Sequence, residues 1–310
     1  MQQNSEKNMQ TKDERTRCGF VALVGAPNAG KSTLTNDFVG SKVSIVSSKV
    51  QTTRTQVKGI GIYGNTQIIL VDTPGIFKPK RRLDRAMVYS AWNGAHDADI
   101  VVLIVDAKRG FDDETKAIVA GLKDIKRKVV LAINKIDLVK KEKLLELSAE
   151  LNKAYPFEQT FMISALESKD VEELYQYLAD NLPVSPWYYP EDQISDMPLK
   201  LLTAEIVREK LFTFLHQELP YALTVEPELW EHRPDGSIRA EMTIYVEKEN
   251  QKIIVLGRGG SMIKRIGQSA RKEIEDLLEE RIHLFLFVKV RENWINDPAR
   301  YADWDLKFNA

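Results

Sequence analysis

Residues 20–39 read FVALVGAPNAGKSTLTNDFV: a short apolar run, a loop fitting G-x-x-x-x-G-K-[ST], and the start of a helix. Such a stretch brings the carboxyl end of a buried strand against a helix N-terminus, which few layouts other than an α/β sheet allow. Gly25 and Gly30 let the backbone curl until successive N–H groups converge. With Ala26, Asn28, Ala29 and Thr33 they form a cradle for phosphate oxygens at the helix start. Lys31 adds a point charge for β- and γ-phosphates, and Ser32 offers its hydroxyl to Mg2+.

Four more apolar runs follow in the first half: QIILVD from Gln67, DIVVLIVD from Asp99, KVVLAIN from Lys128 and TFMIS from Thr160. They lack clean alternation and are rich in β-branched residues, as strands buried on both faces are. Helical stretches such as KEKLLELSAELNKAY lie between them, which predicts βαβ units and a doubly wound, mostly parallel sheet. At 183–198 the texture changes: PVSPWYYPEDQISDMP has four prolines and no helical period, and reads as a connection. Beyond it come an amphipathic helix in LLTAEIVREKLFTFLHQEL, an alternating strand in SIRAEMTIYVEKE, a glycine turn opening a helix, and a strand in HLFLFVKVRE. This predicts a separate, small α+β module. The expected division is a disordered polar extension at 1–17, a nucleotide unit at 18–182, the connection at 183–198 and the second unit at 199–310.

Net charge is −1, so any polyanion must meet a local patch and not a basic protein. The single cysteine, Cys18, permits no internal disulfide and fits a reducing compartment. The polar N-terminus lacks the apolar centre of a signal peptide, and IVVLIV at 100–105 is too short to span a bilayer. A soluble, cytoplasmic protein is expected. The four histidines show no ligand spacing, so no metal beyond Mg2+ and K+ is expected.

Three short motifs end later strands. DTPG puts Asp72 at the carboxyl edge of the sheet, where its carboxylate can hold Mg2+ through water and the Gly75 N–H can meet a γ-phosphate. NKID places Asp137 to accept from the N1–H and exocyclic amine of guanine, a donor pair adenine lacks. Asn134 would address the other edge of the base, and the Lys135 stem its face. In SAL, Ser164 and Ala165 bring a backbone N–H near guanine O6. A P-loop kinase would have no use for NKID. With these motifs in order, the chain resembles the small GTPases of the translation-factor-related class, binding GTP and GDP. That resemblance makes KVQTTRTQ the switch segment whose threonine completes the Mg2+ shell, Thr53 or its competitor Thr52. It also makes Lys31, Thr53 and Gly75 the catalytic set.

Where Ras-like GTPases carry a water-orienting glutamine after D-x-x-G, this chain has Ile76, which has no polar atom. Slow intrinsic hydrolysis is therefore expected unless another charge helps. Related GTPases with the same G-x-P-N-x-G-K-S loop hold K+ with the asparagine, which makes Asn28 a K+ candidate; loop structuring is its alternative role.

A second glycine turn, GRGG at 257–260, opens a helix whose Ile263, Ile266, Ala270, Ile274 and Leu277 form a buried stripe. Ser261 is placed to cap it. Gly257, Arg258, Gly259, Gly260, Lys264 and Arg265 make a positive helix start beside a bare turn, suited to phosphate. This unit resembles a type II KH domain, whose turn clamps single-stranded nucleotides. The resemblance makes NQKIIVL helical, although its composition favours a strand. A P-loop GTPase followed by a KH domain is similar to one family, Era, over nearly the whole chain from about Gly19. The resemblance implies a GTP-dependent factor for small-subunit maturation that binds the 3′ end of small-subunit ribosomal RNA. It also implies the small ribosomal subunit as partner, a monomer, and peripheral contact with the inner face of the cell membrane. A GTP-dependent RNA-binding scaffold with little turnover is the alternative.

Overall fold

The computed structural model describes residues 16–47, 49, 52–216 and 219–310. Most of the predicted N-terminal extension, and positions 50 and 51 of the switch segment, lie outside the described residues. In the first unit the elements run β1 Arg17–Val24, α1 Lys31–Val39, β2 Val57–Tyr63, β3 Thr66–Asp72, α2 Arg82–Asp97, β4 Ile100–Asp106 and α3 Asp113–Gly121. They continue β5 Lys128–Asn134, α4 Lys141–Ala154, β6 Thr160–Ile163 and α5 Glu172–Asn181. The sheet order is β2-β3-β1-β4-β5-β6, with every pair parallel except β2 against β3. The predicted doubly wound sheet is present, with β2 as an unpredicted antiparallel edge.

Its core forms two layers, one on each face. Val21, Leu23, Val102 and Leu174 belong to one, and Val24, Val101, Leu131 and Leu151 to the other. This two-sided burial is why the strands read as continuous apolar runs. Strand β1 begins at Arg17, inside the segment assigned to the extension, and Arg17 Nη1 donates to Leu182 O at 2.6 Å.

The connection is strapped to the sheet. Buried Gln67 accepts at Oε1 from the Tyr188 and Tyr189 N–H groups and donates through Nε2 to Tyr189 O at 2.8 Å. Trp187 and Tyr189 pack on Cys18, Ile60 and Ile69. Ile60 N–H donates to Ile194 O at 2.9 Å, and Ser195 bridges Gly59, so this segment covers part of the β2 edge.

The second unit runs α6 Leu199–Phe214, β7 Leu223–His232, β8 Ile238–Val246, α7 Glu249–Leu256, α8 Ser261–Leu278 and β9 Ile282–Val290. Its three-stranded sheet has β8 central, antiparallel to β7 and parallel to β9. That order, α-β-β-α-α-β, is the type II KH arrangement. NQKIIVL is helical, as the resemblance implied. The stripe Ile266, Ala270 and Ile274 is buried, with Ile263 and Leu277 packed beside it. Ser261 does not cap α8: the N-cap is Gly260 in the left-handed region, and Ser261 is the first helical residue.

The chain then returns to the first unit through α9 Pro298–Asp303. Tyr301 and Leu306 pack on Leu83, Ala86 and Met87 of α2, and the Arg82 guanidinium lies 4.2 Å from the Phe308 ring centre.

Candidate active site and nucleic-acid interface

The carboxyl ends of β1, β3, β4 and β5 converge on a cavity of about 610 Å³ lined by Asn28, Gly30, Lys31, Ser32, Thr33, Thr53, Gly75, Asn134, Lys135 and Asp137. Sequence reasoning placed all ten there. At its phosphate end, Lys31 is buried and its Nζ donates to Gly25 O at 3.1 Å and Ala26 O at 3.0 Å. Gly30 has φ +106°, and a Cβ there would lie 2.1 Å from Asn134 Nδ2, so only glycine fits.

Asp72 is fully buried at the end of β3. Its Oδ2 accepts from Ser32 Oγ at 2.6 Å and Ser44 Oγ at 2.7 Å, while Oδ1 has no hydrogen-bond partner. Burial holds the carboxyl above its ordinary range, against the pull of Ser32 and Lys31. Thr53 Oγ1 lies 3.0 Å from Ser32 Oγ, whereas the Thr52 hydroxyl turns away to Lys49 O. A buried carboxylate with an unused oxygen and two converging hydroxyls is a donor set that fits a hard cation such as Mg2+. The geometry favours Thr53 over Thr52.

Burial brings the Lys31 ammonium down to about 8, with Asp72 pulling the other way. Because the folded value lies below 10.5, the unfolded chain holds the extra proton between about pH 8 and 10.5. Across that window this group makes stability rise with pH. Phosphate oxygens in the loop would restore the charge. GDP binding at about pH 8.5 is therefore expected to take up most of a proton, read by titration calorimetry in buffers of differing ionisation heat. Lys31→Met should abolish the buffer dependence; its persistence would assign the uptake elsewhere.

At the other end, Asn134 ties three loops together. Its Nδ2 donates to Ala29 O at 2.9 Å, and its Oδ1 accepts from Lys135 N at 2.8 Å and Ala165 N at 3.0 Å. Asn134 and the Ala165 amide, expected to face the base, thus bond to each other in this structure. Lys135, at φ 66°, reaches Asn28 O and Asp106 Oδ2 at 2.6 and 2.7 Å. Asp137 is held by Ser164 Oγ at 2.6 Å. Sequence reasoning missed Asp106, although an aspartate closing an apolar strand was a usable signal. It also missed Leu138 and Leu166, exposed apolar side chains at the cavity rim. Ile76 is buried in the core, its N–H bonded to Gly25 O.

The switch segment and the loop between α1 and it are held by the second unit. Val46 N–H donates to Glu209 Oε1 at 2.8 Å, and Lys42 pairs with Glu209 on α6 at 2.6 Å and with Glu273 on α8. Lys49 Nζ donates to Leu215 O at 2.6 Å, Arg208 donates to Thr52 O, and Arg54 Nη2 donates to Leu223 O at 3.0 Å.

In the second unit, Gly257, Gly259 and Gly260 all have positive φ. A Cβ on Gly259 or Gly260 would meet nothing within 4 Å, so the turn is open to a ligand's backbone. Beside it runs a groove of about 390 Å³ between α8 and β9, lined by Ile263, Lys264, Gly267, Gln268, Arg271 and Leu284–Leu286. Lys264 lines this groove, and Arg258 in the turn is exposed. Arg265 instead stacks on Phe214 at 4.5 Å, away from the groove. Gln268, Arg271 and the β9 edge were not singled out as RNA contacts from the sequence.

A KH fold behind a guanine-type P-loop site defines the class: a P-loop GTPase carrying an RNA-binding module. The family model described as 50S ribosome-binding GTPase matches residues 20–135, and the KH domain model matches 218–295. GTPase Era of Brucella suis biovar 1 is 60% identical over 96% of both chains, and that of Rhizobium meliloti is 59% identical over 94% of this chain. An Aquifex aeolicus Era variant bound to GDP and AlF4− superposes with TM-score 0.88 at 36% identity, covering 93% of this chain and 99% of that one. An Era complex with MgGDPNP and nucleotides 1506–1542 of 16S ribosomal RNA gives 0.89 at 36%, covering 93% and 98%. The chain belongs to the Era family of GTPases.

Proposed function

We propose that this GTPase is a switch that binds the 3′ end of small-subunit ribosomal RNA and assists maturation of the small ribosomal subunit. The reading follows the relative crystallised with MgGDPNP and 16S ribosomal RNA nucleotides. In it Gly25, Ala26, Asn28–Thr33 and Gly75 hold the phosphates; Ser32, Thr53 and Asp72 hold Mg2+; and Asn134, Lys135, Asp137, Ser164 and Ala165 select guanine. Lys31, Thr53 and Gly75 act on the γ-phosphate, and the GRGG turn with Lys264 and Arg271 holds RNA. Arg265 acts from beside the turn. The division is 18–182 for GTP and 199–310 for RNA.

One observation carries the switching: the Mg2+-binding segment is bonded to α6 through Thr52, and Lys42, in the loop leading into that segment, is paired with Glu209 on α6 and Glu273 on α8, the helix that follows the RNA turn. A γ-phosphate that reorders Thr53 must therefore strain or release these bonds. Charge reversal by Lys42→Glu is expected to shrink the difference in RNA affinity between the GTP-analogue and GDP states at least threefold, as coupling energies of this size are about 1–3 kcal/mol. Fluorescence anisotropy with both nucleotides measures it; an unaltered difference would remove the Lys42 link.

Asn28, which adopts φ 63°, is assigned K+ beside the phosphates. Single-turnover hydrolysis should run faster in K+ than in Na+, and Asn28→Ala should erase that difference; equal rates in the parent protein would defeat the assignment. A monomer in the cytoplasm, with peripheral contact at the inner membrane face, belongs to the same reading by family. Among the described residues no helix is long and apolar enough to cross a membrane.

A further inference from the structure

The loop after β4 sets a guanidinium at the edge of the nucleotide cavity that none of the roles above uses. Arg109 lines that cavity together with Asn28, Lys31 and Gly75. Its backbone N–H donates to Asp106 O at 3.0 Å, and Asp106 also holds Lys135 of the base-selecting motif, so the loop's position is tied to the site. The side chain runs back along the P-loop, where Nη1 donates to Pro27 O at 3.4 Å. Pro27 abuts Gly75, since a Cβ on Gly75 would fall 2.8 Å from it. The guanidinium thus approaches the cradle where the P-loop meets the glycine assigned to the γ-phosphate. Nη2 is held by the carboxylates of Asp112 and, at 2.7 Å, Glu114, and the side chain is 36% exposed. Ile76, the residue that would orient water in other GTPases, is buried and apolar.

Phosphoryl transfer builds charge on the oxygens around the β–γ bridge, and a cation brought there accelerates the reaction. We propose that Arg109 is a catalytic arginine supplied in cis: it leaves Asp112 and Glu114 and contacts the β- and γ-phosphate oxygens as the reaction proceeds. This rests on the GTPase reading above. In the step, water oxygen bonds to the γ-phosphorus and the bond from that phosphorus to the bridging oxygen breaks. The electron pair leaves with GDP, and the water proton ends on the released phosphate. Arg109 exchanges no proton and contributes only its charge and fork of donors. The competing role is a staple that fixes the loop against Pro27.

Transition-state analogue binding separates the two. In the full-length protein, Arg109→Ala is expected to weaken the GDP·AlF4− complex and slow single-turnover GTP hydrolysis, each on the order of 100-fold. GDP and GDPNP affinities should stay within about twofold of the parent. Arg109→Lys, which keeps a point charge without the fork, should recover part of both losses. Unchanged AlF4− binding in Arg109→Ala would overturn the proposal, and so would a parallel loss of GDPNP affinity, the mark of a staple. A parent protein that binds neither GDPNP nor GDP·AlF4− would instead defeat the GTPase reading itself.

Discussion

Replacing Asp137 with alanine is expected to weaken GDP binding by about 100- to 20,000-fold. Two hydrogen bonds to a charged acceptor contribute roughly 1.5–3 kcal/mol each, and about 1.4 kcal/mol is a factor of ten in affinity. The carboxylate is already oriented by Ser164 Oγ, so the parent site has little ordering left to do on binding. Adenine nucleotides should be indifferent to the change, because they lack the donor pair. Asp137→Asn makes a sharper case: its amide would face the 2-amino group of guanine donor to donor, but would match the 2-oxo group of xanthine. Nucleotide competition should therefore show preference passing from guanine to xanthine. If guanine selectivity survives in either variant, Asp137 is not the selecting group.

Gly30→Ala is expected to abolish measurable GDP binding through a single methyl group. That methyl would collide with Asn134 Nδ2, which lies 2.1 Å from the Cβ position, and Asn134 also fastens Ala29, Lys135 and Ala165. The phosphate loop and both base-selecting loops would be displaced together. The left-handed backbone alone adds a cost of about 1–3 kcal/mol. Gly40→Ala is the matched control: φ is +72° there too, but a Cβ meets nothing within 4 Å. It should lower thermal stability by the strain alone and leave GDP affinity intact. Equal effects of the two substitutions on binding would mean the Asn134 junction is unimportant.

How much of this was legible in the sequence depended on range. Asp72 and Asn134 could be read because each closes a buried apolar run, with Asp137 just beyond Asn134, and a parallel sheet brings all its carboxyl ends to one edge. Strand β2 escaped because Gly59 and Gly61 break its pattern. Those glycines are there for packing, since a Cβ would fall 2.5 Å from Thr35 Cγ2 or Phe38 Cε1 of α1. Strand β7 was hidden by Pro227, which sits at a register shift where a ladder N–H is dispensable. The proline-rich connection could be read only as a connection, not as a strap on the sheet, because Gln67, which clamps it, lies far away in the sequence. The contacts between the switch segment and the second unit were equally out of reach. Lys42, Arg208, Glu209 and Glu273 each look like ordinary surface charges until the fold pairs them.

Everything proposed here turns on control of RNA binding in the second unit by the nucleotide in the first. Its most direct test is to titrate a single-stranded RNA of the small-subunit 3′ end into the full-length protein saturated with Mg2+ and either GDPNP or GDP. Kd values are expected to differ by about 5- to 150-fold, with RNA shifting the protein's GDPNP-to-GDP preference by the same factor, because coupling between two binding sites is reciprocal. Identical RNA affinities in the two nucleotide states would contradict it.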